Sequence, residues 1–561
     1  MNKFIKRIKN NQALYILSIL IIGILLLLIA RITYAYLAPR IQSALGNVTT
    51  ISDTVDDFKL ELGRPLSLNA TSTTLPESGS NLVVTSTEIA KLKANSTKKT
   101  ANYNYYLYLQ ITNNTFKYSD GTTPEIILTI TDPNGNEITS LDNLTYGTYN
   151  GVSGFDVTTK TGLFAIANNY EITSNSSTTY TEHDWNITLT YLNLNIDQSG
   201  NYGNSFETKL YLQKEKMITG ISDVAKSGDA LATVLETLGT KGDSSLTGLY
   251  HHDASLTNGA GDNSYRFAGA DPNNYVCFGS DEATCPTESL YRIIGVIDGK
   301  VKLINAYGAT TSMLGTNEGY VNTYQEAWSD SLELAQSFYK GKEDFTKIGS
   351  YKWNKTGTNT WNTSTTNTIN LNTNYLTYLD SKNTKWKNMI ADTTWYVGGM
   401  TGANGAQSNA KIAYNYEVGA NKDATTTVTS KIGLMYVSEY YYGATPDYWT
   451  LPGADQNGHP NEDQTAWIGE DYSKAYNNNW MSTGLFEWTI SRFSVVSSAA
   501  FLVRDDGLVY AGAVGTSHGS AVRPSFSLSS SIKFTSGEGT AVNPIRINLW
   551  LGDYACLGRK G

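Results

Sequence analysis

Hydrophobic and polar positions follow different rhythms along this chain. From Ala13 to Ala30 (ALYILSILIIGILLLLIA) there is no charged side chain. At about 1.5 Å per residue, such a run makes roughly 27 Å of apolar helix, enough to cross a thin or locally adjusted hydrocarbon core. From residue 51 to 216 the period is two. Tyr103, Tyr105, Leu107, Leu109 and Ile111 alternate with Asn104, Tyr106, Tyr108 and Gln110, and Trp185, Ile187, Leu189 and Tyr191 alternate with Asn186, Thr188 and Thr190. Phe206, Thr208, Leu210 and Leu212 repeat the pattern. Strand side chains point to opposite faces in turn, so each stretch predicts a strand with one buried face. Asp120-Gly121, Asp132-Pro133-Asn134-Gly135 and Ser199-Gly200-Asn201 supply turns between them. The expected fold here is an all-β sandwich.

The period changes between residues 217 and 248. Leu231, Val234, Leu235 and Leu238 fall at i, i+3, i+4 and i+7, after Ser227-Gly228-Asp229 as a capping signal and before Gly239 as a stop signal. This predicts a short connector helix that docks on a neighbour. From residue 249 to 548 the signals mix, as in an α+β domain. Tyr291–Ile297 and Lys300–Ile304 predict a hairpin across Asp298-Gly299, while 328–339 and 371–379 have helical spacing. Ile432–Val437, Ala499–Val503, Leu508–Ala511 and Val522–Leu528 read as strands, two of them joined by Asp506-Gly507. The Asn/Thr-rich stretch Thr356–Asn374 reads as an exposed loop. No repeat of fixed period occurs.

The expected organisation is therefore a cytoplasmic basic segment (1–12), a transmembrane helix acting as signal anchor (13–36), a stem (37–50), a sandwich stalk (51–216), a connector (217–248), a head domain (249–548) and a tail (549–561). Charge gives this its direction. Lys3, Lys6, Arg7 and Lys9 precede the apolar run, which predicts a cytoplasmic N-terminus and an extracellular bulk at the cell membrane. Thr33-Tyr34-Ala35 offers the alternative of cleavage near Ala35 and secretion. No acidic residue occurs before Asp53, and six basic residues do; with a total of −9, the remainder carries −15. Such an acidic exported part is a poor partner for nucleic acid.

Cysteine is scarce. Cys277 and Cys285 frame the short loop CFGSDEATC and are candidates for a local disulfide, whereas Cys556 is free, buried or intermolecular. Ten of the 11 tryptophans lie beyond residue 217.

Several segments of the second half resemble a group of uncharacterised surface proteins of Gram-positive gut bacteria. They are Asp262–Arg266 (DNSYR), Asn273–Cys277 (NNYVC), Leu290–Val296 (LYRIIGV), Lys431–Ser438 (KIGLMYVS), Trp488–Ser491 (WTIS), Val522–Phe526 (VRPSF) and Gly537–Thr540 (GEGT) with Asn543-Pro544. The strand, DG turn, strand and VRP succession also resembles the end of the C-type-lectin-like fold shared by formylglycine-generating enzymes and bacterial variable receptors. That resemblance covers about the last half of the chain and implies a scaffold rather than an activity. Formylglycine-generating enzymes use a pair of cysteines in their C-terminal region, and Cys556 stands alone there. Residues 30–215 faintly resemble exported camelysin-like fibre proteins, through Thr33-Tyr34-Ala35-Tyr36 followed by a sandwich.

Catalytic signals are few. Gly515-Thr516-Ser517-His518-Gly519 matches G-x-S-x-G, but a nucleophile elbow needs a helix after the serine and a strand is expected here. His183, His251, His252, His459 and His518 form no metal motif. The oxygen-rich loop from Asp455 to Asp463 departs from calcium-loop spacing and is interrupted by Pro460. No cofactor or metal is expected. Tyr440, Tyr441, Tyr442 and Trp449 are the candidate ligand-binding residues, since rings in a loop can stack on sugars or fill protein hot spots. Arg523 is expected to be a buried structural partner. The leading expectation is a non-enzymatic, membrane-tethered adhesion protein whose lectin-like head binds a glycan, a cell-wall component or a host or neighbouring protein. The alternatives are a structural subunit of a surface layer or fibre and, least favoured, a formylglycine-generating-type enzyme.

Overall fold

Period-two alternation becomes paired strand wherever it is strongest. The computed structural model describes residues 49–52, 56–71, 80–95, 100–331, 339–340, 345–453 and 472–549, and it is mostly β-sheet. The chain divides at Met217/Ile218 into two units, taken in turn below.

Among the described residues the first unit contains eleven strands: β1 (Thr49–Ser52), β2 (Asp57–Glu61), β3 (Ser67–Asn69), β4 (Leu82–Lys93), β5 (Ala101–Asn114), β6 (Ile126–Thr131), β7 (Tyr146–Tyr149), β8 (Val152–Asp156), β9 (Gly162–Ser174), β10 (Thr181–Tyr191) and β11 (Ser205–Gln213). They form one sheet in the order β1-β2-β4-β10-β6-β8-β7 and another in the order β3-β11-β5-β9. All described strand pairings in this unit are antiparallel, and both sheets contribute to one core. Leu92, Trp185, Ile187, Leu189 and Leu128 meet Tyr105, Leu107, Leu109, Phe206 and Leu210 there. The Trp185 indole N–H donates to the Tyr105 hydroxyl at 2.9 Å, joining the two layers. Glu125 is fully buried and accepts from the Tyr191 hydroxyl, the Gln198 amide and the Asn201 amide at 2.8, 2.8 and 3.0 Å. Those donors hold a buried carboxylate that would otherwise be expensive to desolvate.

In the second unit, helix α1 (Leu231–Lys241) buries Leu231, Val234, Leu235 and Leu238, the four residues of the expected stripe. Its limits differ from expectation. The Ncap is Ala230, and the helix runs through Gly239 to Lys241. Gly239 serves packing instead, because a Cβ there would lie 2.4 Å from the Tyr265 ring. Nor is the helix a connector between bodies: its stripe belongs to the core of the second unit, and Ala230 bridges Lys533 near the other end of that unit.

The largest sheet here uses β12 (Leu249–His251), β13 (Tyr265–Phe267), β14 (Tyr275–Cys277), β15 (Leu290–Ile297), β16 (Lys300–Asn305) and, after two two-stranded sheets β17 (Tyr320–Thr323)/β18 (Gly349–Tyr351) and β19 (Thr393–Tyr396)/β20 (Thr427–Ser430), β24 (Ser525–Ser527). Its order is β12-β13-β15-β16-β24, with β14 also on β15. The β15–β16 hairpin turns at Asp298 (φ 50°) and Gly299 (φ 70°), the paired positive angles of a tight hairpin turn. A three-stranded sheet follows from β21 (Glu487–Arg492), β22 (Ala499–Val503) and β23 (Val509–Ala513), with Asp506-Gly507 in the expected turn, and β25 (Ile532–Ser536) pairs with β26 (Arg546–Leu549). Seven tryptophans of this unit, Trp353, Trp361, Trp386, Trp395, Trp449, Trp480 and Trp488, are buried.

Three further expectations of secondary structure fail in this unit. Thr356–Asn374 is no exposed loop: Thr366–Tyr375 is π-helical and continues into α2 (Leu376–Lys382), with Thr366, Asn367 and Asn370 buried. Their amides replace solvent, as where Asn370 Nδ2 donates to the Leu314 carbonyl at 3.2 Å. Ile432–Val437 makes only a single bridge, Gly433 to Ser525, and turns helical at Val437. The strand expected over 522–528 is limited to Ser525–Ser527. No described helix is long and apolar enough to cross a membrane, and the predicted anchor at 13–36 lies outside the described residues. So do nearly all of the stem, the tail after Leu549, Cys556 and the loop from Asp455 to Asp463.

Candidate functional site

Helix α3 (Ala410–Glu417) delivers the carboxylate of Glu417 to the start of α4 (Val437–Tyr442). Glu417 accepts from the backbone N–H groups of Val437 and Ser438 at 3.0 and 2.8 Å and from the Ser491 hydroxyl. These bonds satisfy donors that a helix start leaves open. Burial nevertheless dominates and pushes the Glu417 carboxyl up to about 7.

The anchoring of α4 overturns the expected aromatic ligand site. Tyr440, Tyr441, Tyr442 and Trp449 lie in the core, each 1% exposed or less. Their polar atoms are spent on backbone carbonyls. Tyr440 donates to Gly507 at 2.8 Å, Tyr441 to Gly405 at 3.2 Å, Tyr442 to Asn258 at 3.2 Å and the Trp449 indole to Ala444 at 2.9 Å. Rings held this way fill volume; they cannot stack on an outside ligand. The chain is helical here rather than loop, so three consecutive tyrosines face three directions, all of them covered.

Charged groups are buried beside them. Lys302 meets Glu439 at 2.5 Å and lies over the rings of Trp395 and Tyr436 at 4.7 and 4.9 Å. Arg266 binds Asp262 at 2.7 Å between the rings of Tyr414 and Tyr442. His252 accepts the Ala260 N–H at its Nδ1, and burial followed by the nearby Arg266 charge holds its pKa well below the usual range. Its Nε2 has no hydrogen-bond partner among the described residues and lies against the rings of Tyr442 and Trp449.

Arg523 is buried, as expected. Its Nε donates to Glu487 at 2.6 Å and its Nη2 to the Met481 carbonyl at 2.7 Å. Nearby in charge are two perturbed groups that sequence reasoning did not single out. Lys340 donates to the Asn479 carbonyl at 2.9 Å, and burial followed by the Arg292 charge pushes its amine down to about 7. Burial followed by the Asp506 charge pushes Asp505 up to about 6. Burial is the largest cause in each case, which is the signature of charges folded into a core.

An open site occurs elsewhere, at the cysteine loop. Cys277 and Cys285 are joined in a disulfide, and the loop they close forms one wall of a cleft of about 420 Å³. Gly279, Ser280, Asp281, Glu282 and Pro286 come from this loop and its continuation; Lys382 ends α2, Asn383 caps the next short helix, Thr384–Asn388, and Trp386 lies within that helix. Trp386 is 2% exposed and forms the floor, braced edge-on by Phe278 at 5.3 Å. Lys385 reaches across to Asp281 at 2.5 Å, and Arg546 donates to the carbonyls of Glu282 and Ala283 at 2.8 and 2.7 Å. The loop is thus held by a covalent bond at its ends and by cations from two other segments. The cysteine pair pointed to this loop; nothing in the local pattern pointed to its facing wall, about a hundred residues away.

The G-x-S-x-G serine is exposed on a turn, with its Oγ 3.4 Å from His518 Nδ1, and the chain after it forms β24 rather than a helix. Among the described residues no group of three or more His, Cys, Asp or Glu could hold a metal ion. No protein-family model matches the chain, and no curated protein matches it.

Proposed function

We propose that this chain is a membrane-tethered surface protein in which a sandwich stalk carries a C-type-lectin-like head that binds an external glycan, without enzymatic activity. The observation that carries the reading is the cleft walled by the Cys277–Cys285 disulfide loop. A structural disulfide belongs to an oxidising exterior, in agreement with an N-terminus whose charges direct everything after the apolar run outward. Two further features support the head as a lectin-like body. Its two ends meet, with Phe534 N–H donating to the Asp229 carbonyl at 2.9 Å, and its DG hairpin leads to Arg523 and the short strand β24.

The test is a glycan and cell-wall fragment array probed with the intact chain in detergent micelles, beside protease digestion of whole cells. The expected result is retention of specific glycans and loss of the C-terminal unit to external protease. A C-terminal unit cut only after lysis, or no glycan retained, refutes the reading.

A further inference from the structure

We infer that the cleft beside the Cys277–Cys285 disulfide is the sugar-binding site of the head and that it takes a neutral mono- or disaccharide. This deepens the reading proposed above and rests on it. Three features of the lining select the ligand class. Its volume, about 420 Å³, falls within the range of about 300–1,000 Å³ usual for small-ligand sites.

Its charges balance. Asp281 is matched by Lys385 at 2.5 Å and Lys382 by Glu288 at 4.0 Å, while the exposed Glu282 has the Arg546 guanidinium bound to its own backbone carbonyl at 2.8 Å. A phosphate or polyanion would have to approach both carboxylates, and a polycation both lysines, so a neutral ligand is favoured on both counts. Finally, donors and acceptors stand side by side: Glu282 accepts, Lys382 donates, the Asn383 amide nitrogen donates while its oxygen caps the Lys385 N–H, and the Ser280 and Ser289 hydroxyls do both. A ring bearing several hydroxyls, each donor and acceptor at once, matches such a lining. An apolar ligand would leave those groups unpaired.

The walls come from segments held in place independently of any ligand, one by the disulfide and Arg546, the other by α2, so the site is preformed and little ordering cost opposes weak binding. The intact chain in micelles is examined by saturation-transfer difference NMR with glucose, galactose, mannose, N-acetylglucosamine, maltose, lactose and chitobiose. The expected result is saturation transfer to at least one of them with a millimolar Kd, weakened at least fivefold by Glu282→Gln and by Lys382→Met. Tyr510→Ala, an exposed ring on β23, should leave it unchanged, and thermal melts of the exposed-site variants should match the parent. If the array finds a glycan whose binding neither variant alters, the cleft assignment falls while the surface-lectin reading stands. If an anionic probe, inorganic phosphate, binds the cleft more tightly than every sugar, the ligand class falls. If no glycan binds at all, both readings fall together.

Discussion

Arg523 ties together segments that are distant in sequence. Through Glu487 it reaches β21, through the Met481 carbonyl it reaches the chain before that strand, and it stands itself two residues before β24. Removing one partner of a buried pair leaves the other charge uncompensated, at about 3–5 kcal/mol. Arg523→Ala should therefore destabilise the second unit by about that amount in denaturant titrations, while Arg523→Met with Glu487→Leu together should recover most of the loss. At the same scale, Glu417 makes stability depend on pH. Its folded pKa, about 7, lies above the ordinary carboxyl value of 4.5, so the proton is held more tightly in the folded state. Its contribution is fully present below about pH 4.5 and is lost as pH rises through 7, a span of about 3 kcal/mol. His252 acts in the opposite sense, because its folded pKa is depressed and acidification below 6.5 disfavours the fold. The two are separated by comparison with Glu417→Gln: between pH 4.5 and 7.5 the parent should lose stability relative to the variant. A constant difference across that range would show that the carboxyl does not titrate with folding.

Among elements, β9 is the one long strand at a described sheet edge of the first unit, 13 residues against three or four for β3, β1 and β7. A long flat edge invites pairing with another chain. Here the β5–β9 register slips twice, opposite Tyr105 to Tyr108, and Asn169 adopts φ 56°. Irregularity of this kind twists an edge away from flatness and disfavours strand addition, so it weighs against the surface-layer alternative. Asparagine tolerates the left-handed conformation and a β-branched residue does not; Asn169→Val should cost about 1–2 kcal/mol and Asn169→Gly much less, as read from unfolding midpoints. The disulfide loop is the second informative element. Closing so short a loop stabilises by about 2–3 kcal/mol in the chain-entropy description. Cys277→Ser with Cys285→Ser should lower stability by up to that amount and abolish sugar binding in the cleft, since the same loop forms its wall; unchanged binding would show that the cations alone hold the loop.

For the whole molecule, the prediction concerns the proposed membrane topology. Under the proposed topology, replacing Lys3, Lys6, Arg7 and Lys9 by glutamine should reduce the fraction of chains whose C-terminal unit is cut by external protease, because basic residues before an apolar run favour retention of the N-terminus inside. Much of the local fold was legible in the residues. The sandwich strands, the α1 stripe, the Asp298-Gly299 and Asp506-Gly507 hairpins and the cysteine pair all depend on interactions between residues close in the chain or on one repeated face. Local periodicity and turn chemistry carry that information because adjacent residues must share a helix or strand geometry.

What the residues could not express was the surroundings of each side chain. Tyr440, Tyr441, Tyr442 and Trp449 have the composition of a sugar-binding loop, and they are core because Glu417, from another helix, caps the turn that carries them. The Asn/Thr-rich stretch Thr356–Asn374 has the composition of a solvated loop, yet its amides and hydroxyls find buried partners as distant as Leu314 and Ile432. The proposed cleft is tertiary in the same sense: its two walls meet only after α2 docks beside the cysteine loop. Burial and proximity are properties of distant pairs, decided when packing selects which faces meet, and no local pattern encodes them.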